Sequence, residues 1–198
     1  MSIKSDSSEI ECGCMISNMS DELFNDALYY REMADSTEDF YLQWRYRRSA
    51  IISFCASAEA WMNSIIKNNL EKKAILENSN EQKLLSFIKD YNSKMPKGFN
   101  NVRNKLYNFI PKSINGKTIN WKTDREKSFE NYIQLSNMRN SVIHYAASSS
   151  TKVHSQEFID LVKNADDIIE SLFQRYSSLG NRIDVPSWYK NRQSRIIK

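Results

Sequence analysis

The stretch from Ser49 to Ala60 reads SAIISFCASAEA, and Glu59 is its single charged residue. Apolar and small side chains cover nearly every side of a helix built from this stretch, which is typical of a helix at the centre of a bundle. Apolar residues continue at helical spacing in both directions, so we predict one long helix from about Asp39 to about Glu71. Residues 36–39, STED, supply a cap and an acidic first turn for it.

Glycine and proline are scarce along the whole chain. The 198 residues include 4 Gly and 3 Pro, where average usage would give about 24. This shortage argues against a turn-rich sandwich or barrel, a glycine-rich nucleotide-binding α/β fold and a flexible linker protein. Hydrophobic residues make up 40% and aromatic residues 12% of the sequence, so disorder is not expected. We predict a single all-α domain.

Helical spacing recurs on both sides of the long helix: from about Ser20, at about 81–91, at about 124–147 and at about 155–179, with Gly180 as a C-terminal cap. We therefore predict a bundle of four to five helices over residues 20–180. A flexible acidic tail (1–19) precedes it, and a basic tail (181–198) follows it. Neither a secretory signal nor a membrane-spanning run is evident, so we expect a cytoplasmic protein that makes no use of a membrane.

The net charge of +4 hides an uneven distribution. Residues 1–40 carry −8 and the remaining residues carry +12, an asymmetry that suggests a polyanion as partner. A solvated acidic first helix on an ordinary protein is the alternative.

Residues 92–122 contain seven basic and no acidic residues. Four aromatic rings are interleaved with them, a combination that suits single-stranded nucleic acid because cations bind phosphates and rings stack on bases. A lysine-rich loop whose rings anchor it to the core would look the same. The candidate RNA-binding residues are Lys94, Lys97, Arg103, Lys105, Lys112, Lys117 and Lys122, and the rings are Phe99, Tyr107, Phe109 and Trp121.

The cysteines and histidines do not form a metal-binding pattern. Cys12 and Cys14 lie in the polar N-terminal stretch, Cys55 lies in the apolar run, and His144 and His154 are the two histidines. A closed four-ligand zinc site would need an improbable mixture of these side chains. We expect neither a metal nor a cofactor.

Glu59 stands out because a carboxylate within an apolar stretch must find a partner or remain hydrated. Asn63 follows four residues later and shares its helix face. The two are candidates for a supporting polar network. The alternative is that Glu59 simply faces solvent.

Residues 139–144, RNSVIH, hold the side chains best suited to chemistry. Arg139 offers a permanent, forked phosphate clamp, and His144 can move a proton near neutral pH. Asn140 and His144 are only about 40° apart on a helix, whereas Arg139 is about 140° from His144. Together they could promote cleavage of RNA by its own 2′-hydroxyl. A surface arginine followed by a capping histidine is the simpler alternative.

The run from Arg139 to His144 resembles the R-x4-6-H signature of the HEPN superfamily (higher eukaryotes and prokaryotes nucleotide-binding domains), including the polar residue, often Asn, after the Arg. In that family the signature lies late on a penultimate core helix of an all-α bundle. Residues 58–66, AEAWMNSII, resemble a run on the family's earlier long helix. The resemblance extends over about residues 21–179 through helix order and these two motifs, and it makes 92–122 a basic insertion.

The resemblance implies a metal-independent ribonuclease, usually a homodimer in which two motifs meet in one cleft, employed as a toxin or an anti-phage effector. By position, Arg139 would contact the scissile phosphate, His144 would be the general acid or base, and Asn140 would orient one of them. We add that Glu59 could steady Arg139. An antitoxin or another defence-complex protein would be a further partner.

Two other functions remain open at this stage. One is a non-catalytic helical adaptor of a defence or toxin–antitoxin complex, which the acidic N-terminal part and the tail residues Trp188 and Tyr189 favour. The other is a DNA-binding or otherwise unrelated helical protein.

Overall fold

The computed structural model describes residues 18–73, 76, 79–144, 150–181 and 192–195. All regular structure in these ranges is helical and no strand is formed there, so the all-α prediction is confirmed for the described part of the chain. The elements are α1 (Met19–Ser36), α2 (Phe40–Glu71), α3 (Ser79–Lys89), α4 (Val102–Asn104), a π-helical turn (Lys105–Phe109), α5 (Ile110–Asn115), α6 (Lys127–Ile143), α7 (Ser150–Val153), α8 (Gln156–Lys163) and α9 (Ala165–Ser178).

Helix α2 is the centre of the fold, as the apolar stretch from Ser49 to Ala60 predicts. It begins after Asp39, whose side chain accepts a hydrogen bond from the Leu42 amide at 2.9 Å. It packs against α1, α3, α5, α6, α8 and α9. Its residues Ala50, Ile51, Phe54 and Ala58 have no solvent exposure. Because α2 touches most other elements, side chains on its different faces reach different parts of the molecule.

The last predicted helix is interrupted. Asn164 lies between α8 and α9 with φ −99° and ψ 7°, and its side chain donates to the Asp160 carbonyl at 2.8 Å. Arg31 of α1 donates to the Lys163 carbonyl at 3.1 Å. The apolar spacing continues across the break, so the sequence pattern does not reveal it. Gly180 adopts a φ of +105° after α9, as predicted for a glycine that ends a helix.

The segment predicted as a basic insertion contributes to the core. Residues 102–115 are helical without a gap, through α4, the π-helical turn and α5. Leu106, Tyr107 and Ile110 have no solvent exposure within the same core as α2. The described chain therefore has more helical elements than the four to five predicted, because the apolar residues of this segment pack as helices.

Residues 192–195 lie against the acidic side chains of α1 and α9, an arrangement that we call the C-terminal clasp. Arg192 pairs with Asp166, Asp167 and Glu170 of α9. The backbone amide and hydroxyl of Ser194 donate to the Glu32 carboxylate at 2.6 and 2.5 Å. Arg195 donates to Glu22 at 2.6 Å. Part of the −8 charge of the N-terminal forty residues is thus matched within the chain.

Several predicted features lie outside the described residues. These are the N-terminal tail up to residue 17 with Cys12 and Cys14, and the part of the C-terminal tail that holds Trp188 and Tyr189. Among the described helices, none combines the length and the apolar character that a membrane span needs.

Candidate functional site

Arg139 lies on the side of α6 that faces α2. It is half-buried, and its side chain is within hydrogen-bonding reach of the Cys55 thiol. Its Nε is buried and has no hydrogen-bond partner among the described residues. Burial raises the pKa of Cys55 to about 12, although the Arg139 charge opposes this. Arg139 is therefore held inside the fold beside a protonated thiol.

His144 occupies a different environment at the C-terminal end of α6. It is exposed, it has left helical geometry with φ −100° and ψ 50°, and its amide donates to the Asn140 carbonyl at 2.9 Å. Asn140 is exposed as well. Residues 145–149 lie outside the described part of the chain. The imidazole of His144 is accessible to a ligand.

A single chain brings Asn140 and His144 to one surface but leaves Arg139 apart from them. Arg139 and His144 are about 140° apart around the helix, and no hydrogen bond or ion pair among the described residues joins their side chains. The motif is contiguous in sequence, yet Arg139 faces α2 while His144 faces solvent.

Glu59 has a partner that the sequence did not identify. The Lys105 Nζ lies 2.5 Å from Glu59 Oε2, and the side chains are 8% and 27% exposed, respectively. Asn63 instead donates to the Tyr91 hydroxyl at 3.0 Å, and its Oδ1 is buried without a partner in the described part of the chain. The expected network between Glu59 and Asn63 is therefore not formed, and Glu59 is bound to Lys105 rather than free in solvent.

Two of the seven candidate RNA-binding residues form ion pairs with carboxylates of the same chain. Lys105 is buried, and its ammonium also lies 4.4 Å from the centre of the Phe99 ring, so it is not on the surface as predicted. Arg103 makes two hydrogen bonds to the Glu130 carboxylate, at 2.5 and 2.9 Å. The other five are exposed: Lys94, Lys97, Lys112, Lys117 and Lys122.

Trp121 is the exposed ring of the four that the sequence singled out. Phe99 and Tyr107 are buried, and Phe109 is partly buried and packs on the core. Trp121 is 36% exposed, with Arg103 at 5.1 Å and Lys122 at 5.9 Å from its ring centre. Three of the four rings thus anchor the segment, as the alternative interpretation of residues 92–122 anticipated, and Trp121 is exposed.

Glu130 was not among the candidate site residues predicted from the sequence, although it lies beside two of the residues discussed there, Arg103 and Tyr107. Its carboxylate accepts both bonds from Arg103 and one from the Tyr107 hydroxyl at 2.9 Å. Burial would raise the pKa of Glu130, but these hydrogen bonds outweigh it and hold the pKa below its ordinary value. Burial, together with the bond to Glu130, raises the pKa of Tyr107 to about 12. The sequence carries no signal for these contacts, because Arg103 and Tyr107 lie 27 and 23 residues before Glu130 and on other helical elements.

A groove of about 310 Å³ runs along α6 and contains Glu130 and Arg103. We call it the α6 groove. It is lined by Arg103, Glu130, Ile133, Gln134, Asn137, Met138, Ser141, Lys152 and Glu157. A larger cleft of about 530 Å³ lies between the start of α1 and the end of α2, and none of the predicted site residues lines it.

Within the described residues, no group of three or more His, Cys, Asp and Glu side chains is placed to hold a metal ion. Comparison with known proteins gives no match to a family model, to a curated protein or to a solved structure.

Proposed function

We propose that the protein is a metal-independent endoribonuclease that acts as a toxin or an anti-phage effector. The observation that carries this proposal is the motif from Arg139 to His144, which ends a core helix of an all-helical fold and leaves His144 exposed. The resemblance of this motif to the HEPN signature supplies the reaction class.

The reaction uses the RNA's own 2′-hydroxyl as the nucleophile. One histidine removes the hydroxyl proton while the oxygen bonds to the neighbouring phosphorus. The bond from phosphorus to the 5′-oxygen breaks, and a protonated imidazole or a water molecule gives a proton to that leaving oxygen. The products carry a 2′,3′-cyclic phosphate and a 5′-hydroxyl. The Arg139 guanidinium stabilises the charge that grows on the non-bridging oxygens.

The proposed active site belongs to a homodimer. In one chain Arg139 and His144 face different directions, so a second copy must supply one of the two groups at each phosphate. Asn140, beside His144, orients the imidazole or the substrate.

The test is cleavage of tRNA and mRNA by the purified protein in the presence of EDTA. We expect products with 2′,3′-cyclic phosphate ends, and we expect His144→Ala to abolish cleavage with no change in the circular dichroism spectrum, because His144 is exposed. Arg139→Lys, which keeps the charge beside Cys55, should also lose most activity because the forked clamp is lost. Cleavage at the wild-type rate by both variants would refute the assignment.

Mixing two inactive variants tests the dimer. If Arg139 and His144 at one phosphate come from different chains, then Arg139→Lys mixed with His144→Ala forms heterodimers with one intact site. We expect partial recovery of activity from the mixture after the chains exchange. Absence of recovery, with exchange verified by native mass spectrometry, would place both groups in one chain.

A second candidate function is a non-catalytic adaptor in a defence or toxin–antitoxin complex. The observation that favours it is the packing of Arg139 against Cys55, which gives this arginine a role inside the fold. An adaptor would copurify with a stoichiometric partner protein and show no cleavage. Loss of that partner on removal of residues 181–198 would locate the interaction.

A further inference from the structure

The α6 groove lies on the face of the helix that carries His144. Its α6 residues Glu130, Gln134, Asn137 and Ser141 recur every three or four positions and so share one face. At about 100° per residue, His144 is only about 20° from Asn137 around the helix, whereas Arg139 is about 160° from it. A ligand that follows the groove towards the C-terminal end of α6 therefore arrives at His144.

Trp121 adjoins the other end of this groove. Arg103 both lines the groove and lies over the Trp121 ring. The segment around Trp121 is held in place: the Ile119 amide donates to the Tyr107 carbonyl at 2.8 Å, and the Asn120 side chain accepts from the Lys122 amide at 3.1 Å. The ring is thus fixed by its backbone while it remains exposed.

The cations at Trp121 differ in their freedom to move. Arg103 is fixed by two hydrogen bonds to Glu130, whereas the exposed Lys122 side chain has no hydrogen bond or ion pair with another described residue. Lys122 can leave the ring at little cost and pair with a phosphate instead. A nucleic-acid base could then take the position that it vacates.

We propose that Trp121 and the α6 groove form a binding site for single-stranded RNA, in which one base stacks on Trp121 and the strand follows α6 to His144. This inference rests on the proposed function, because it describes how the RNA reaches the reacting histidine. It assigns Trp121, Lys122 and Asn137 to substrate binding, whereas Arg103 positions the ring.

The polar lining of the groove suits unpaired bases. Its two acids are engaged, Glu130 by Arg103 and Tyr107, and Glu157 by the Gln134 amide at 2.9 Å. The Asn137 amide can bond to base edges, and the Ser141 hydroxyl, which donates to the Asn137 carbonyl at 3.2 Å, can still accept from them. Only an unpaired strand presents these edges freely. From Glu130 to His144 the helix rises about 21 Å, which is the length of about six stacked nucleotides.

The test separates binding from cleavage. The probe is a fluorescently labelled 10-nucleotide RNA with 2′-O-methyl groups throughout, which binds but lacks the attacking hydroxyl, and its anisotropy reports affinity. We expect Trp121→Ala to weaken binding by about 5- to 150-fold, the range for loss of one stacked base. Trp121→Phe should retain most of the affinity. Tyr41→Ala is the matched control, because Tyr41 is an exposed ring that does not line the groove.

Two further measurements complete the test. Asn137→Trp, a change at an exposed position that fills the groove, should weaken binding at least fivefold, and a blunt duplex of the same sequence should bind more weakly than the single strand. Wild-type affinity in both Trp121→Ala and Asn137→Trp would overturn the inference even if the protein cleaves RNA. Weakened binding in both variants without cleavage of unmodified RNA would instead refute the proposed function and leave the inference standing.

Discussion

Lys105 Nζ and Glu59 Oε2 lie 2.5 Å apart and join the π-helical turn to the central helix α2. The two side chains are unequally buried, since Lys105 is 8% exposed and Glu59 is 27% exposed. Removal of Glu59 therefore leaves a lysine that is almost shielded from water, whereas removal of Lys105 leaves a carboxylate that water still reaches.

This asymmetry predicts unequal costs for the two single substitutions. Glu59→Gln leaves a buried ammonium without its counter-charge, whereas Lys105→Met leaves a carboxylate that water can still reach. We expect Glu59→Gln to lower the free energy of unfolding by about 2–4 kcal/mol and Lys105→Met by about 1–2 kcal/mol, measured by urea denaturation. The double variant should lose less than the sum of the two. A larger loss in Lys105→Met would contradict the assigned burial.

The pairing of Arg103 with Glu130 predicts a dependence of stability on pH. The pKa of Glu130 is lower in the folded protein than its ordinary value of 4.5. The ionised carboxylate therefore contributes fully to the free energy of unfolding above pH 4.5, and this contribution is lost as the pH falls through the folded pKa. We expect the stability of wild type to fall more steeply between pH 5 and pH 3 than that of Glu130→Gln. Parallel curves would show that the carboxylate does not contribute.

Cys55 should be chemically silent in the folded protein. Burial raises its pKa to about 12, so almost no thiolate exists at neutral pH, and the thiolate is the reactive form. In a Cys12→Ser/Cys14→Ser variant, we expect no reaction of the remaining thiol with a disulfide reagent at pH 8. The reaction should become rapid in urea at concentrations that unfold the chain. Rapid labelling without urea would show that the α2–α6 contact opens.

The C-terminal clasp predicts a salt-dependent part of the stability. Arg192 faces three carboxylates on α9, and salt screens such partly exposed pairs. We expect Arg192→Ala to lower the free energy of unfolding by about 1 kcal/mol at low salt and by less in 1 M NaCl. Lys117→Ala serves as a control at an exposed lysine that forms no ion pair with another described residue. An equal loss at both salt concentrations would point to packing rather than charge.

The fold was largely predictable because its centre depends on local pattern. The apolar stretch from Ser49 to Ala60 and the cap at Asp39 predict the longest helix from neighbouring residues alone. The environments of Lys105 and Arg139 depend instead on residues far along the chain, Glu59 and Cys55 on the central helix. A basic residue that pairs with an acid inside the fold and one that faces solvent look alike in sequence. The structure therefore decides which of the seven basic residues in 92–122 are exposed.

The break between α8 and α9 at Asn164 was likewise not predictable from the local sequence pattern. The apolar residues of α8 and α9 keep their spacing across it, while the interruption depends on a side-chain bond to Asp160 and on Arg31 from a different helix. The angle of about 140° between Arg139 and His144 follows from helix spacing alone, whereas the position of Arg139 beside Cys55 depends on how α2 and α6 pack together.

The clasp also has a consequence for the order in which the molecule assembles. Ser194 and Arg195 bond to Glu32 and Glu22 across 162 and 173 residues of sequence, whereas α1 and α2 are joined by only three residues. Loop closure of that length is slow relative to local helix pairing. The carboxylates of Glu22 and Glu32 therefore cannot form these bonds until the segment after α9 has been made, and we expect the clasp to close late in folding.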